Sequence, residues 1–187
     1  MAKTVAFFGL GNMGGPMAAN LVKAGFQVRA FDLVPASVQQ AVKDGCVAAT
    51  TEKAAVEGAD FIISMLPDGA IAERLYIDGA GLLDLVNPAA LVIDCSTIAA
   101  ANSRRIGMEG KKRNIRVVDA PVSGGVAGAQ AATLAFMCGG EAADVEAARE
   151  VLKHMGANIF HAGASGAGQI AKICNNMLLA IHMIGTA

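Results

Sequence analysis

The feature of this sequence that most constrains its fold is a cluster of glycines directly after a short apolar run. The segment FFGLGNMGGPMAANLVKAG has glycine at positions 9, 11 and 14, with the spacing G-x-G-x-x-G. The first glycine permits a tight turn, the second lets phosphates approach the backbone, and the third allows a strand and a helix to pack closely. The segment therefore predicts a strand, then a turn, then a helix whose N-terminus binds a dinucleotide diphosphate.

An acidic residue farther along supports the same interpretation. Asp32 ends the second predicted strand, 21 residues beyond Gly11, where a carboxylate can accept a hydrogen bond from the adenosine ribose. Its charge repels a 2′-phosphate, so the sequence favours NAD over NADP as the cofactor. The alternative is that Asp32 only caps the next helix. The predicted cofactor-binding residues of this segment are Gly9, Leu10, Gly11, Asn12, Met13, Gly14 and Asp32.

Short apolar runs alternate with helical patterns along most of the chain. The predicted strands are Thr4–Gly9, Gln27–Asp32, Asp60–Leu66, Ala90–Ser96, Ile115–Gly124, Ala132–Gly140 and Ala157–Gly163. Strands this apolar are typical of a parallel sheet that is buried on both faces, and 54% of the chain is hydrophobic. We therefore predict an α/β fold, a Rossmann-type doubly wound sheet whose ligand site lies at the carboxyl ends of the strands.

Composition argues against several other classes of function. The net charge is −1 without a basic stripe, so nucleic-acid binding has no support. No segment reaches the roughly 18 consecutive apolar residues that a membrane-spanning helix needs. The four cysteines are far apart and the three histidines lack partners at zinc-ligand spacing, so we expect no metal site, cysteines buried in the core, and a cytoplasmic location.

The last segment reads as one long helix with few polar residues. Lys172 lies in an otherwise apolar run, and Asn175 and Asn176 follow at positions i+3 and i+4, where they can share its face. A solvated lysine is the ordinary interpretation. However, the few polar residues cluster around Lys172, which favours partial burial, and burial lowers the pKa of a lysine toward the range useful for proton transfer.

Five segments in order carry a resemblance to a known family. They are GLGNMGGPMAANL, MLP, DCSTI, DAPVSGG and GAGQIAKICNN. Together they resemble the β-hydroxyacid dehydrogenases, and within that family the 3-hydroxyisobutyrate branch. The resemblance covers essentially the whole chain. It implies NAD-dependent oxidation of 3-hydroxyisobutyrate to methylmalonate semialdehyde in valine degradation.

The resemblance also implies roles for individual residues. Lys172 is the implied catalytic residue. The other implied residues bind either a small hydroxy-acid substrate or the cofactor. The implied substrate-binding residues are Ser96, Ser123, Gly124, Gly125, Asn175 and Asn176, and the further cofactor-binding residues are Leu66, Pro67 and Thr97. From the residues alone, Ser123–Gly125 is equally typical of an ordinary tight turn.

Members of this family continue beyond the point where this sequence stops. We therefore expect residues 1–163 to form the NAD-binding domain, and residues 164–187 to begin an interdomain helix that leads to an absent all-helical domain. The full-length form is expected to be a homo-oligomer. The alternatives are a tartronate semialdehyde reductase, a serine-type dehydrogenase, or a dinucleotide-binding module without catalytic activity.

Overall fold

The computed structural model describes residues 2–79 and 81–187. Within these residues the strands are β1 Thr4–Phe8, β2 Gln27–Phe31, β3 Val47–Ala48, β4 Phe61–Ser64, β5 Leu91–Asp94, β6 Arg116–Asp119, β7 Val122–Ser123, β8 Leu134–Gly139 and β9 Gly156–Gly163. The helices are α1 Gly14–Lys23, α2 Pro35–Lys43, α3 Glu52–Val56, α4 Gly69–Tyr76, α5 Leu82–Leu85, α6 Ala100–Lys112, α7 Gly125–Ala131, α8 Ala142–Leu152 and α9 Ala167–Thr186.

The strands form one sheet in the order β3-β2-β1-β4-β5-β6-β8-β7, and β9 pairs with β8. All pairs among strands β1 to β6 are parallel. The chain runs outward from β1 through β2 to β3 and then returns to the other side of β1 as β4. This reversal of strand order opens a crevice between the ends of β1 and β4. The predicted doubly wound α/β fold is confirmed.

Helices cover both faces of the sheet, which explains why the strands are apolar throughout. Val5 and Phe7 of β1 face a core formed with α1, α2, α7 and α8. Ala6 and Phe8 of the same strand face a second core formed with α3, α4, α5 and α6. Alternate residues of a strand point to opposite faces, so a strand that is covered twice is apolar at most positions. Its polar residue lies at the carboxyl end, as Asp94 does in β5.

The second half of the sheet departs from the predicted pattern. The segment Ile115–Gly124 was predicted as one strand, but it forms β6 and β7, which are separated at Ala120 and Pro121. Proline has no N–H group to donate to a neighbouring strand. Both short strands pair with β8 in the antiparallel direction, so the sheet is mixed. Helices α4, α5 and α7 and strand β3 were not predicted.

The long helix α9 confirms the predicted helical pattern, but it presents an unusual surface. Its apolar side chains Ile170, Ile173, Met177 and Leu178 are about half exposed, whereas Lys172 is only 8% exposed. Cys174 is also exposed, which corrects the expectation that all the cysteines lie in the core; the other three are buried. In the described part of the chain, no helix has the length and hydropathy needed to cross a membrane.

Candidate functional site

The structure separates the three glycines of the G-x-G-x-x-G segment into two that packing requires and one that it does not. A Cβ atom on Gly9 would lie 2.3 Å from the Met65 carbonyl oxygen, and one on Gly14 would lie 1.9 Å from the Gly9 carbonyl oxygen. These two glycines allow close contacts within the protein itself. A Cβ atom on Gly11 would meet no protein atom within 4 Å. Packing within the described chain therefore does not require glycine at position 11, and the space beside it is open.

Unpaired backbone donors border that open space. Helix α1 begins at Gly14 without a side-chain cap. Its first internal hydrogen bonds run from Gly15 N–H to the Gly11 carbonyl and from Met17 N–H to the Met13 carbonyl. As far as the structure describes the chain, the N–H groups of Asn12, Met13 and Gly14 donate to no protein acceptor. Free amides at a helix N-terminus form a site for an anion such as a diphosphate.

The glycine segment forms one wall of a cleft of about 640 Å³. The opposite wall comes from the loop after β4 and from α4, and the far end comes from the residues after β2. The predicted cofactor-binding residues that line the cleft are Gly9, Gly11, Asn12, Met13, Gly14, Asp32, Leu66 and Pro67. Leu10 is buried beneath it, and Thr97 is exposed on the loop between β5 and α6. The other lining residues include Leu33, Glu52 and Arg74.

Asp32 lines the cleft and also holds its wall in place. The Leu10 N–H group donates to Asp32 Oδ2 at 2.6 Å, and the Val34 N–H group donates to Asp32 Oδ1 at 2.8 Å. Val34 is the residue that precedes α2, and that helix has no side-chain cap. The capping alternative is therefore wrong, and the bond to Val34 belongs to the turn between β2 and α2. The bond to Leu10 is a contact that the sequence did not reveal. It fixes the glycine turn against the end of β2.

Ser96 supports the opposite wall from below. Its side chain is fully buried, and its Oγ accepts a hydrogen bond from Leu66 N–H at 2.8 Å. The Ser96 N–H group donates to Asp94 Oδ1 at 3.1 Å. Ser96 therefore does not line the cleft itself, but its hydroxyl group holds Leu66, which does.

The Ser123–Gly125 segment lies at the end of β7 and the start of α7. Gly124 and Gly125 have φ values of 129° and 62°, which residues other than glycine rarely adopt. A Cβ atom on Gly125 would meet nothing within 4 Å. Ser123 is half-buried. The three residues form a turn with an open backbone and are not among the residues that line the cleft.

Lys172 is the most unusual titratable residue of the chain. It is buried on α9, and within residues 2–79 and 81–187 its amine makes no ion pair or hydrogen bond. Loss of hydration lowers the pKa of Lys172, as the sequence predicted, because burial penalises the ammonium form. Asn175 and Asn176 are exposed on the same helix. A buried lysine without a carboxylate partner is rare unless it has a function.

Two residues that the sequence did not assign to the site hold α9 in position. Asp119 Oδ1 accepts a hydrogen bond from Gly166 N–H at 2.7 Å, and Asp119 Oδ2 accepts from Gln169 N–H at 3.2 Å. Gln169 is fully buried, and its side chain bonds to the backbone of the loop after β5. Asp119 thus fixes the segment that leads into α9 together with the first turn of the helix. The only sequence signal for Gln169 is a polar residue in an apolar helix.

Comparison with known proteins identifies the type of domain that contains this cleft. Residues 4–163 match the sequence family described as the NAD binding domain of 6-phosphogluconate dehydrogenase. The chain thus has an NAD-binding domain, and the match includes the glycine segment and Asp32.

In the described part of the chain, no three histidine, cysteine, aspartate or glutamate residues group as potential metal ligands.

Curated relatives and solved structures resemble almost the whole chain. It is 54% identical over 185 residues to an NAD-dependent L-serine dehydrogenase of Pseudomonas aeruginosa, covering 99% of this chain and 62% of that protein. It is 54% identical over 183 residues to a 3-hydroxyisobutyrate dehydrogenase of the same organism, covering 98% and 61%. A structure of Mycobacterium tuberculosis 3-hydroxyisobutyrate dehydrogenase with L-serine superposes with a TM-score of 0.94 at 48% identity, covering 99% and 62%.

Proposed function

Because this chain belongs to the β-hydroxyacid dehydrogenase family, we propose that it acts in the NAD-dependent oxidation of a small 3-hydroxy acid. The proposed substrate is 3-hydroxyisobutyrate, and the product is methylmalonate semialdehyde, as in valine degradation. The observation that carries the proposal is the buried, unpaired amine of Lys172. A module that only bound the dinucleotide would have no use for it.

The residues that line the cleft are suited to hold NAD. The free N–H groups of Asn12, Met13 and Gly14 would bind the diphosphate over the open space at Gly11, and Asp32 would bind the adenosine ribose. Leu66 and Pro67 would line the path beyond the diphosphate, and Thr97 would contact the nicotinamide side. Since Asp32 already accepts two backbone hydrogen bonds, its carboxylate is fixed where it disfavours a 2′-phosphate, which supports NAD over NADP.

The residues of this chain supply proton transfer and positioning. When bound, NAD accepts the hydride that leaves the carbon bearing the hydroxyl group. Lys172, in its neutral form, accepts the proton of that hydroxyl group, and it returns a proton when the aldehyde is reduced. The open turn at Ser123–Gly125 binds the substrate carboxylate with backbone N–H groups and a hydroxyl group. Asn175 and Asn176 orient the substrate beside Lys172.

The comparisons support a second substrate. One relative is named an NAD-dependent L-serine dehydrogenase, and the Mycobacterium tuberculosis structure contains L-serine. L-Serine is also a 3-hydroxy acid, so the same lysine and the same carboxylate site would serve it. Tartronate semialdehyde reduction and cofactor binding without catalysis are the remaining alternatives. The chain spans less than two thirds of these relatives, so residues outside it could contribute to substrate choice.

The test is an assay of NADH formation with 3-hydroxyisobutyrate, L-serine and glycerate. It is made with this chain and with a longer protein that contains it, each as parent and as Lys172→Met. We expect turnover of 3-hydroxyisobutyrate by the parent, loss of turnover in Lys172→Met, and NADH binding in both. Turnover that survives in Lys172→Met contradicts the role of the lysine. Tight NADH binding without turnover of any substrate favours the binding module.

A further inference from the structure

Helix α9 meets the sheet through polar side chains. Gln169 is 0% exposed and Lys172 is 8% exposed, whereas Ile170 and Ile173 are 49% and 50% exposed. Burial of a polar side chain is costly unless it is hydrogen-bonded. The buried side of α9 therefore needs a specific interaction to hold it against the sheet.

The side chain of Gln169 provides that interaction. Its Nε2 donates to the Ser96 carbonyl at 2.8 Å, and its Oε1 accepts from Ile98 N–H at 3.1 Å. Both partners lie in the loop between β5 and α6, and all these groups are buried. The Gln169 N–H group bonds to Asp119, so the same residue is fixed through its backbone and through both ends of its side chain. A buried amide that loses such partners carries the full cost of desolvation.

The loop that Gln169 contacts also supports the cofactor cleft. Ser96 accepts from Gln169 through its carbonyl oxygen and accepts from Leu66 N–H at 2.8 Å through its hydroxyl oxygen. Leu66 lines the cleft. A path of two hydrogen bonds therefore joins the cleft wall to α9, and Lys172 follows Gln169 by three residues, close to one helical turn.

We propose that Gln169 is a positioning residue: its side-chain amide sets the rotation of α9 and so places the Lys172 amine relative to the cofactor cleft. The inference rests on the proposed function, in which Lys172 transfers a proton. A displacement of about 1 Å at a reacting group can cost about 100-fold in rate. The role of Gln169 is thus separate from general stabilisation, which Asp119 already supplies at the start of the helix.

The experiment compares Gln169→Met, Gln169→Glu and the control Gln39→Met, in the chain and in a longer protein that contains it. Methionine keeps the length of the side chain but loses both hydrogen bonds, and glutamate keeps only the acceptor for Ile98 N–H. Gln39 is exposed on α2, so its replacement should change nothing. Three quantities are measured: turnover, NADH affinity, and hydrogen exchange of the amides at the start of α9.

We expect Gln169→Met to lower kcat by about 10- to 100-fold, with KM and NADH affinity unchanged and with faster exchange confined to the first turns of α9. We expect Gln169→Glu to lower kcat less, which keeps the test possible if the methionine variant does not fold. Normal kcat despite faster exchange overturns the inference. A parallel loss of NADH affinity, stability and turnover also overturns it, since that describes a structural role. An inactive parent instead refutes the proposed function, a separate result.

Discussion

Two alanine substitutions in the glycine segment separate the needs of the fold from the needs of the ligand. In Gly14→Ala the new Cβ lies 1.9 Å from the Gly9 carbonyl oxygen, against 3.4 Å or more for an ordinary contact. The oxygen belongs to the backbone and the Cβ is bonded directly to it, so neither can move aside without separating β1 from α1. In Gly11→Ala the Cβ enters space that holds no protein atom within 4 Å. The first change should therefore reduce stability, and the second should reduce binding.

The magnitudes follow from these contacts. Overpacking of a core typically costs about 1–3 kcal/mol, and in a domain of this size each kcal/mol shifts Tm by about 2–4 °C. Gly14→Ala should therefore lower Tm by roughly 2–12 °C. Gly11→Ala should leave Tm unchanged or raise it slightly, because alanine restricts the unfolded chain by about 0.4–1 kcal/mol. Its methyl group displaces the diphosphate, so we expect NADH affinity to fall by at least about tenfold, or 1.4 kcal/mol.

The assay pairs thermal unfolding with a fluorescence titration of NADH. Gly185→Ala is the matched control, because a Cβ there also meets no atom within 4 Å and the position lies at the far end of α9. That control should bind NADH like the parent. The reasoning is refuted if Gly11→Ala binds NADH as tightly as the parent does, or if Gly14→Ala is as stable as the parent.

Three further predictions concern titratable residues. Lys172 must be neutral to accept a proton, and its pKa is lowered by desolvation; oxidation should therefore slow as the pH falls through that lowered pKa, while NADH binding measured across the same range should not follow it. Asp32→Ser should raise NADP affinity relative to NAD, measured by parallel titrations, and it should also lower Tm because Leu10 N–H loses its acceptor. Burial raises the pKa of Asp94, so the folded state binds that proton more tightly than the unfolded state. The free energy of unfolding then falls as the pH rises from the ordinary aspartate pKa to the raised one. In Asp94→Asn, urea unfolding at several pH values should show that this loss is absent.

The parts of the site that the sequence predicted are those set by local rules. The glycine spacing requires a particular turn between one strand and the next helix, and all three glycines lie within six residues. Asp32 could be placed because it ends the second strand of the same unit. The alternation of apolar runs and helices likewise predicts a doubly wound sheet, since each strand must be apolar on both faces.

The parts that it missed depend on contacts between distant segments. Pro121 is a local signal that the strand Ile115–Gly124 divides, but nothing local indicates that β8 runs antiparallel to both parts. The bond from Gln169 to Ser96 joins residues 73 positions apart. A glutamine in a helix has no preferred partner in sequence, so its role becomes visible only once the fold brings the loop after β5 against α9.

Helix α9 shows why tertiary contacts, and not periodicity alone, decide which side of a helix meets a sheet. In the described chain Ile173 and Met177 are 50% and 56% exposed, while the buried positions are Gly168, Gln169 and Lys172. Close packing requires glycine at 168, because a Cβ there would lie 2.2 Å from the Met137 carbonyl oxygen. Contact at Gly168 and hydrogen bonds at Gln169 thus fix which side of the helix meets the sheet. Lys172 is buried as a consequence, and the cost of that burial is what lowers its pKa toward the range in which it can transfer a proton.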